Sequence, residues 1–178
     1  MSDVAFELPT VETLLNKLYT QLKTAIQEKG IENPRLVGIH SGGVWIAERL
    51  QKMLAADADN EKCPQLGTLN IAFYRDDFTE RGLHPVVTPS TLPFSVDDAN
   101  LILVDDVLMS GRTIRAALNE LFDYGRPKSV TLAVLVDLQA QELPIKPDAA
   151  GMTTKLPANK RIKLRGPDTL KLDLIQTN

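Results

Sequence analysis

Apolar residues recur every three or four positions in three segments of the chain, a spacing typical of amphipathic helices. The first segment, about residues 10–29, begins after Thr10, a residue type that caps helices, and stops at Gly30. The second follows Gly43, and the third begins at about Thr113. Their apolar positions are Val11, Leu14, Leu15, Leu18, Leu22 and Ile26, then Val44, Ala47, Leu50 and Leu54, and finally Ile114, Ala117, Leu118, Leu121 and Phe122.

Short apolar or alternating runs lie between these helices and predict strands at residues 36–39, 69–73, 100–104 and 129–136. Because strands alternate with helices, the sequence predicts an α/β fold with a doubly wound, mainly parallel sheet. The pattern after residue 137 is shorter and less periodic, with alternation returning only at Leu170, Leu172 and Leu174. We expect that part to be a small cap on one domain of residues 1–178.

Polar residues follow three of the predicted strands, at positions 40–43, 74–77 and 105–113. In parallel sheets, ligands bind beyond the carboxyl ends of the strands, so these three junctions are predicted to meet. The connection over residues 78–95 contains Gly82 and several prolines. It is long for a structureless loop in a compact domain, which indicates a functional lid or an exposed arm.

The strongest chemical signal is residues 101–113, where a buried strand runs into Asp105 and Asp106 and then into a turn bearing glycine and hydroxyls. Carboxylates suit a sugar diol or a metal ion, and backbone N–H groups at a helix start suit a phosphate. An isolated pair of aspartates is more often solvated or a helix cap. The flanking strand and turn favour a sugar-phosphate site, and the spacing excludes a Walker A loop and a G-x-G-x-x-G turn.

Composition narrows the class of protein. The 178 residues are 43% hydrophobic and 24% charged, which fits one globular domain. No apolar run is long enough to cross a membrane, and the first residues lack a signal-peptide pattern. Cys63 is the single cysteine, which excludes an internal disulfide, and His40 and His84 show no metal-ligand spacing. A cytoplasmic protein is predicted.

The charge is nearly balanced, with a net charge of −3, which argues against a binder of polyanions over its whole surface but leaves a local basic face open. One stretch differs: between Ala149 and Pro167 there is no acidic residue, but five basic ones occur, namely Lys155, Lys160, Arg161, Lys163 and Arg165. Two interpretations stay open for this stretch, a strand edge protected by solvated charge or a patch for nucleic acid, and the sequence favours the first.

The string from Val104 to Thr113, V-D-D-V-x-x-S-G-x-T, resembles the phosphoribosyl diphosphate motif of the type I phosphoribosyltransferases. Together with residues 74–77, 125–127, 132–137 and 142–145, it is similar to the pyrimidine operon attenuator and uracil phosphoribosyltransferase family. The resemblance implies a type I phosphoribosyltransferase fold and a regulator of pyrimidine biosynthesis that binds uridine nucleotide and phosphoribosyl diphosphate. It also implies transfer of a pentosyl group, from phosphoribosyl diphosphate to uracil, giving UMP and diphosphate.

The resemblance assigns roles to named positions. Asp105, Asp106 and Arg75 would be the catalytic residues, with Mg²⁺ on the two aspartates, directly or through water. Residues 78–95 would be a mobile loop, and residues 137–178 most of a hood over the nucleobase. The substrate-binding residues would be Ser41, Gly42, Gly43, Val107, Leu108, Met109, Ser110, Gly111, Arg112, Thr113, Asp137 and Leu138.

Two segments depart from the family pattern and leave alternatives open. The diphosphate loop reads Ser41-Gly42-Gly43 where the family has T-R-G, and residues 138–144 read L-Q-A-Q-E-L-P where it has R-G-H-R-E-L-P. The alternatives are a nucleotide-sensing regulator without catalysis and a phosphoribosyltransferase for another base. The family also implies a messenger RNA leader as partner, a dimer or tetramer of identical chains, and no membrane.

Overall fold

The computed structural model describes residues 6–58, 63–71 and 88–177. Within those residues the helices are α1 (Val11–Glu28), α2 (Gly42–Asp57) and α3 (Arg112–Tyr124). The strands are β1 (Arg35–Ile39), β2 (Leu66–Leu69), β3 (Asn100–Leu108), β4 (Ser129–Asp137), β5 (Ala149–Thr153), β6 (Lys160–Arg165) and β7 (Lys171–Gln176).

Five strands form one parallel sheet in the order β2-β1-β3-β4-β5. The helices α1 and α2 pack on one face through buried residues such as Leu18 and Leu50, and α3 packs on the other through Ile114 and Leu121. Helices on both faces explain why the central strands are apolar throughout rather than alternating. The predicted doubly wound α/β fold is confirmed.

Helix α1 shows how the sequence fixes one element. Thr10 caps it by accepting a hydrogen bond from the backbone N–H of Thr13 at 3.2 Å, and Glu12 lies in its first turn. Four of the six predicted positions of its apolar stripe are buried, whereas Leu15 and Ile26 are half-buried and Ala25 is buried as well. The helix packs against β4 and β5. None of the helices in the described ranges is both long and apolar enough to span a bilayer.

Several element boundaries differ from the sequence prediction. The strand expected at 69–73 is β2 at Leu66–Leu69, and the one expected to end at Val104 continues as β3 to Leu108. Helix α2 begins at Gly42 because the two glycines are already helical. Phe122, predicted on the buried stripe of α3, is 58% exposed, and Ala116 is buried instead.

The long connection predicted at 78–95 is described only from residue 88 onward. Thr91 forms a bridge with Thr68 of β2, with backbone hydrogen bonds of 2.8 Å in both directions. Ser90 accepts a hydrogen bond from the backbone N–H of Asn70 at 2.9 Å and donates one to Glu120 on α3. The described end of this connection is therefore fastened to the sheet edge and to α3.

The C-terminal segment divides into two parts. Strand β5 adds a fifth parallel strand to the central sheet, which the sequence pattern did not predict. Strands β6 and β7 form a separate antiparallel hairpin, here called the ribbon. Ile162, Leu164 and Leu172 of the ribbon are buried in the core that contains α1 and α2.

We predict that Gly151→Ala lowers stability without touching the polar edge of the sheet. A Cβ at residue 151 would lie 2.6 Å from the carbonyl oxygen of Leu14 and 2.7 Å from that of Leu135, and neither backbone can yield cheaply. Overpacking of this kind costs about 1–3 kcal/mol, or a fall in Tm of roughly 2–4 °C per kcal/mol in a protein of this size. Thermal unfolding measures it, with the exposed substitution Asn119→Ala as control, and equal Tm values for the two variants would contradict this packing.

Candidate functional site

The two aspartates of β3 interrupt the regular alternation of its side chains. Before them, Val104 packs in the core on the α2 face and Leu103 in the core on the α3 face. After them, Val107 packs on the α2 face and Leu108 on the α3 face, so the alternation is offset by one residue. The aspartates therefore lie where the strand is irregular, although β-pairing continues to Leu108. This refines the prediction that the pair marks the end of the strand.

Both carboxylates are partly used by the local backbone. Asp105 Oδ1 accepts the N–H of Asp106 at 2.9 Å, and Asp106 Oδ1 accepts the N–H of Val107 at 3.0 Å. Asp105 is buried, at 5% exposure, whereas Asp106 is partly exposed. These hydrogen bonds fix the rotamers of both side chains, so each carboxylate has a defined direction before any ligand binds.

The glycine pair at the start of α2 lets that helix touch the aspartates. A Cβ at Gly42 would collide with Oδ2 of Asp106, and one at Gly43 would collide with the carbonyl oxygen of Val104 and lie 3.1 Å from the Cα of Asp105. Any larger side chain at either position would separate the helix from β3. The predicted diphosphate loop and the predicted carboxylates are thus in direct contact.

Two helices begin at this edge of the sheet without the usual capping groups. Ser41 makes no capping hydrogen bond to α2, and Gly111, with φ +89°, has no side chain to cap α3. Of the first-turn N–H groups of α3, that of Arg112 donates to Ser110 Oγ at 3.3 Å. Neither helix has an acidic residue in its first turn, in contrast to α1 with Thr10 and Glu12. First-turn N–H groups and the positive ends of two helix dipoles are therefore available to an anion.

The turn at residues 109–113 is held from outside by the segment after β4. Glu142 donates its backbone N–H to the carbonyl of Ser110 at 3.0 Å, and its carboxylate pairs with Arg112 at 2.8 Å. Ile145 lies in van der Waals distance of a Cβ built at Gly111. Met109 is 55% exposed on the same turn, although it is apolar. The turn is thus fixed in shape by contacts with residues 142–145, while Met109 stays exposed to solvent.

Asp137 ends β4 directly beside Leu108 and is buried. Its Oδ1 accepts the backbone N–H of Gln139 at 3.0 Å and the side-chain amide of Gln141 at 2.6 Å. Leu138 follows, with its N–H on the carbonyl of Leu108 at 3.0 Å. The sequence predicts Asp137 and Leu138 as binding residues but not Gln141. At position 141 the family pattern has an arginine, and here a neutral amide contacts Asp137 instead.

His40 follows β1, and its N–H donates to the carbonyl of Leu69 at 2.8 Å, with a cis peptide bond to Ser41. Burial lowers the pKa of the His40 imidazole below its ordinary value, and the nearby Glu48 offsets that shift only in part. The ring is therefore neutral at pH 7. It adds no positive charge to the Ser41-Gly42-Gly43 turn.

The donor set fits Mg²⁺ of the kind that is shared with a substrate. Asp105 and Asp106 offer hard carboxylate oxygens on adjacent residues, and no group of three or more His, Cys, Asp or Glu is close enough for a full metal cage in the described ranges. Mg²⁺ commonly binds through one or two carboxylates, with waters and phosphate oxygens completing its shell.

The structure brings several of the predicted site residues together. Ser41 to Gly43, Asp105, Asp106 and the turn 109–113 share one edge of the sheet. The Leu108 side chain is in the core, so only its backbone faces a ligand. Arg75 and the rest of residues 74–77 lie outside the described residues.

Comparison with known proteins agrees with this geometry. The phosphoribosyl transferase domain family matches residues 9–163 of the chain. The bifunctional protein PyrR of Pseudomonas paraeruginosa is 58% identical over 166 residues, covering 93% of this chain and 94% of that protein. Its counterpart in Pseudomonas fluorescens is 52% identical over 167 residues, covering 94% and 96%.

Among solved structures, the hypoxanthine phosphoribosyltransferase of Trypanosoma cruzi superimposes with a TM-score of 0.65 over 96% of each chain. Its sequence identity is 15%, so this likeness shows the fold alone. The family expected from the motifs is confirmed by the much closer sequence relatives. The chain belongs to the phosphoribosyl transferase domain family and, within it, to the relatives of the bifunctional protein PyrR.

Proposed function

We propose that this protein transfers the phosphoribosyl group of phosphoribosyl diphosphate to uracil and regulates pyrimidine biosynthesis as a sensor of uridine nucleotide. The observation that carries the proposal is the contact between the first turn of α2 and Asp106, beside the uncapped start of α3. That arrangement offers two anion sites on either side of a carboxylate pair. Phosphoribosyl diphosphate has the matching pattern of a 5′-phosphate, a sugar diol and a diphosphate.

In the proposed reaction, a ring nitrogen of uracil forms a bond to C1 of the ribose and gives up its proton to solvent, while the bond from C1 to the diphosphate oxygen breaks. The electron pair of the broken bond leaves with diphosphate, and the sugar carries positive charge in the transition state. Asp105 and Asp106 would hold the 2′ and 3′ hydroxyls and stabilise that charge. Bound Mg²⁺ would neutralise charge on the diphosphate.

The phosphate groups would be bound at the two helix starts. The turn 109–113 would hold the 5′-phosphate through the N–H groups of α3 and the hydroxyls of Ser110 and Thr113. The Ser41-Gly42-Gly43 turn would hold the diphosphate through the N–H groups of α2. Because His40 is neutral, side-chain charge for the leaving group has to come from elsewhere, and Arg75 is the proposed source.

A regulator that binds nucleotide without turnover is the second candidate, and the contact of Gln141 with Asp137 favours it. Gln141 stands where the family pattern has an arginine, so a neutral amide contacts Asp137 at that position. The relatives are named bifunctional, which speaks of two functions in those proteins. We propose a messenger RNA leader as the regulatory partner and an assembly of identical chains as the working form.

The first test is turnover. Purified protein with Mg²⁺, uracil and phosphoribosyl diphosphate should release diphosphate and form UMP, with other bases offered in parallel. Asp105→Asn/Asp106→Asn keeps the shape of both side chains and should lower kcat/KM by about 10²–10³-fold, the usual loss when electrostatic stabilisation is removed. Lys52→Gln, an exposed change on α2, is the control. Absence of UMP, or equal rates in the aspartate variant, would refute catalysis at this pair.

A second prediction concerns the glycine contact. Gly42→Ala should displace the Asp106 carboxylate or the start of α2, since the added Cβ has no space. The cost of about 1–3 kcal/mol corresponds to binding weakened by about 5- to 150-fold. Calorimetric titration with phosphoribosyl diphosphate and Mg²⁺ measures it, with Lys52→Ala as the control in the same helix. Unchanged affinity in the glycine variant would show that α2 does not contribute to the site.

A third prediction follows from His40. Its pKa is lower in the folded protein than in the unfolded chain, so the unfolded state binds more protons just below pH 6.5. Stability should therefore fall as the pH is lowered from 6.5 through the pKa of folded His40, and His40→Asn should flatten that part of the profile. Thermal unfolding across this range and an NMR titration of the imidazole measure both effects. A midpoint above 6.5 would contradict the neutral ring.

A further inference from the structure

The C-terminal end of β4 carries a carboxylate that has no task in the proposed reaction. Asp137 is only 7% exposed and ends β4 beside Leu108, one strand away from the aspartate pair of β3. Its Oδ1 accepts two N–H groups, from the backbone of Gln139 and from the side chain of Gln141. No lysine, arginine or histidine of the described ranges forms an ion pair with it. A nearly buried carboxylate is thus held by neutral donors.

The turn after β4 brings Gln141 to this carboxylate. Oδ1 of Asp137 accepts the N–H two residues further on, which is an Asx turn, and Gln139 then adopts φ +52° in the left-handed region. The amide of Gln141 donates to the same oxygen at 2.6 Å. An ionised carboxylate only accepts hydrogen bonds, so the Gln141 amide has to present its N–H side to Asp137.

An acceptor and a donor of this pair remain unoccupied. Within the described residues, Asp137 Oδ2 accepts no hydrogen bond, and it is not sealed from solvent. The second N–H of the Gln141 amide has no acceptor among the same residues. The two groups lie next to each other, beside a cavity of about 400 Å³ that Asp137, Gln139 and Gln141 help to line. Small-molecule sites commonly have a volume of about 300–1,000 Å³.

The strand order places this pair on the side of the sugar where the base arrives. The proposed diphosphate turn follows β1, the aspartate pair lies on β3, and Asp137 ends β4, which is on the other side of β3 from β1. A nucleophile that displaces diphosphate approaches C1 from the face opposite the leaving group. In the proposed reaction the base therefore lies towards the end of β4.

We propose that Gln141 is a specificity-determining residue, which holds Asp137 in place and with it selects bases that carry a ring N–H next to a carbonyl. Asp137 Oδ2 accepts the N3–H of uracil, and the second N–H of Gln141 donates to the neighbouring O4. Cytosine has an acceptor at N3 and an amino group at C4, so it leaves both protein groups without a partner. The inference rests on the proposed function and gives it a class of base.

The test compares the binding of UMP, CMP and ribose 5-phosphate by isothermal titration calorimetry. The parent should bind UMP at least about tenfold more tightly than CMP. Gln141→Met keeps the length of the side chain without its N–H groups. It should weaken UMP binding by about 10- to 150-fold, the effect of a hydrogen bond to a charged group, and leave ribose 5-phosphate unchanged because that ligand has no base. Gln141→Arg restores a donor and should keep the preference for UMP.

Two further variants complete the comparison. Asp137→Asn presents an N–H in place of an acceptor and should lower the ratio of UMP to CMP affinity. Gln27→Met, an exposed change on α1, is the matched control and should keep the ratio of the parent. Equal ratios in Gln141→Met and Gln27→Met would overturn the inference, and so would a parent that binds both nucleotides equally or binds neither. Equal losses of UMP and ribose 5-phosphate affinity in Gln141→Met would overturn it too, since they indicate a structural role alone.

Formation of UMP from uracil is measured on the same preparations to separate this inference from the proposed catalysis. A preference for UMP that depends on Gln141 supports the inference whether or not UMP forms. Turnover of uracil with an unchanged preference in Gln141→Met overturns the inference and leaves the proposed catalysis intact.

Discussion

The contact between the first turn of α2 and β3 is the constraint that organises this protein. Gly42 and Gly43 allow the helix to approach until its backbone touches Asp106 and Val104. Because α2 also packs on the sheet through Leu50 and Ile46, its position is set by the core and not by a loop. The N–H groups of the first turn of α2 are thereby placed at a fixed distance from the Asp106 carboxylate, which a flexible loop could not achieve.

The surrounding polar groups follow from this arrangement. Helices α2 and α3 begin at the same edge, and neither has a capping hydrogen bond from its N-cap residue or a first-turn carboxylate, although α1 has both. At the start of α3, only the N–H of Arg112 has a side-chain acceptor, Ser110 Oγ at 3.3 Å. Each missing cap costs about 1 kcal/mol of stability, so the protein forgoes that stabilisation at two helices. The absence of caps makes physical sense when a phosphate takes their place. The neutral imidazole of His40 leaves these dipoles as the described source of positive potential at the diphosphate turn.

The sequence predicted the fold, and it predicted that the polar turns after β1 and β3 lie together, because these signals are local. The apolar stripe of α1, the strand before Asp105 and the uncommon string 101–113 are each readable over a dozen residues. What the sequence does not predict depends on tertiary contact. The pattern predicts that Gly42 lies in a loop, whereas in the structure it begins α2 and packs against Asp106. Strand β5 is not predicted because Ala149–Thr153 has little apolar pattern, and this segment becomes a strand by pairing with β4. Likewise, the sequence favours a strand edge for the basic stretch, whereas in the structure Ile162 and Leu164 of β6 are buried in the core and the basic residues between them are exposed.

The most direct measurement is where on the chain a nucleotide binds. In a ¹⁵N-labelled sample titrated with UMP, the backbone amides of residues 109–113 and of Gly42 and Gly43 should shift together, with one common dissociation constant. Such a result would place the ligand between the starts of α2 and α3. Shifts confined to other parts of the chain, or shifts at the α3 turn with none at the glycines, would contradict the proposal that the two helix starts form a single site.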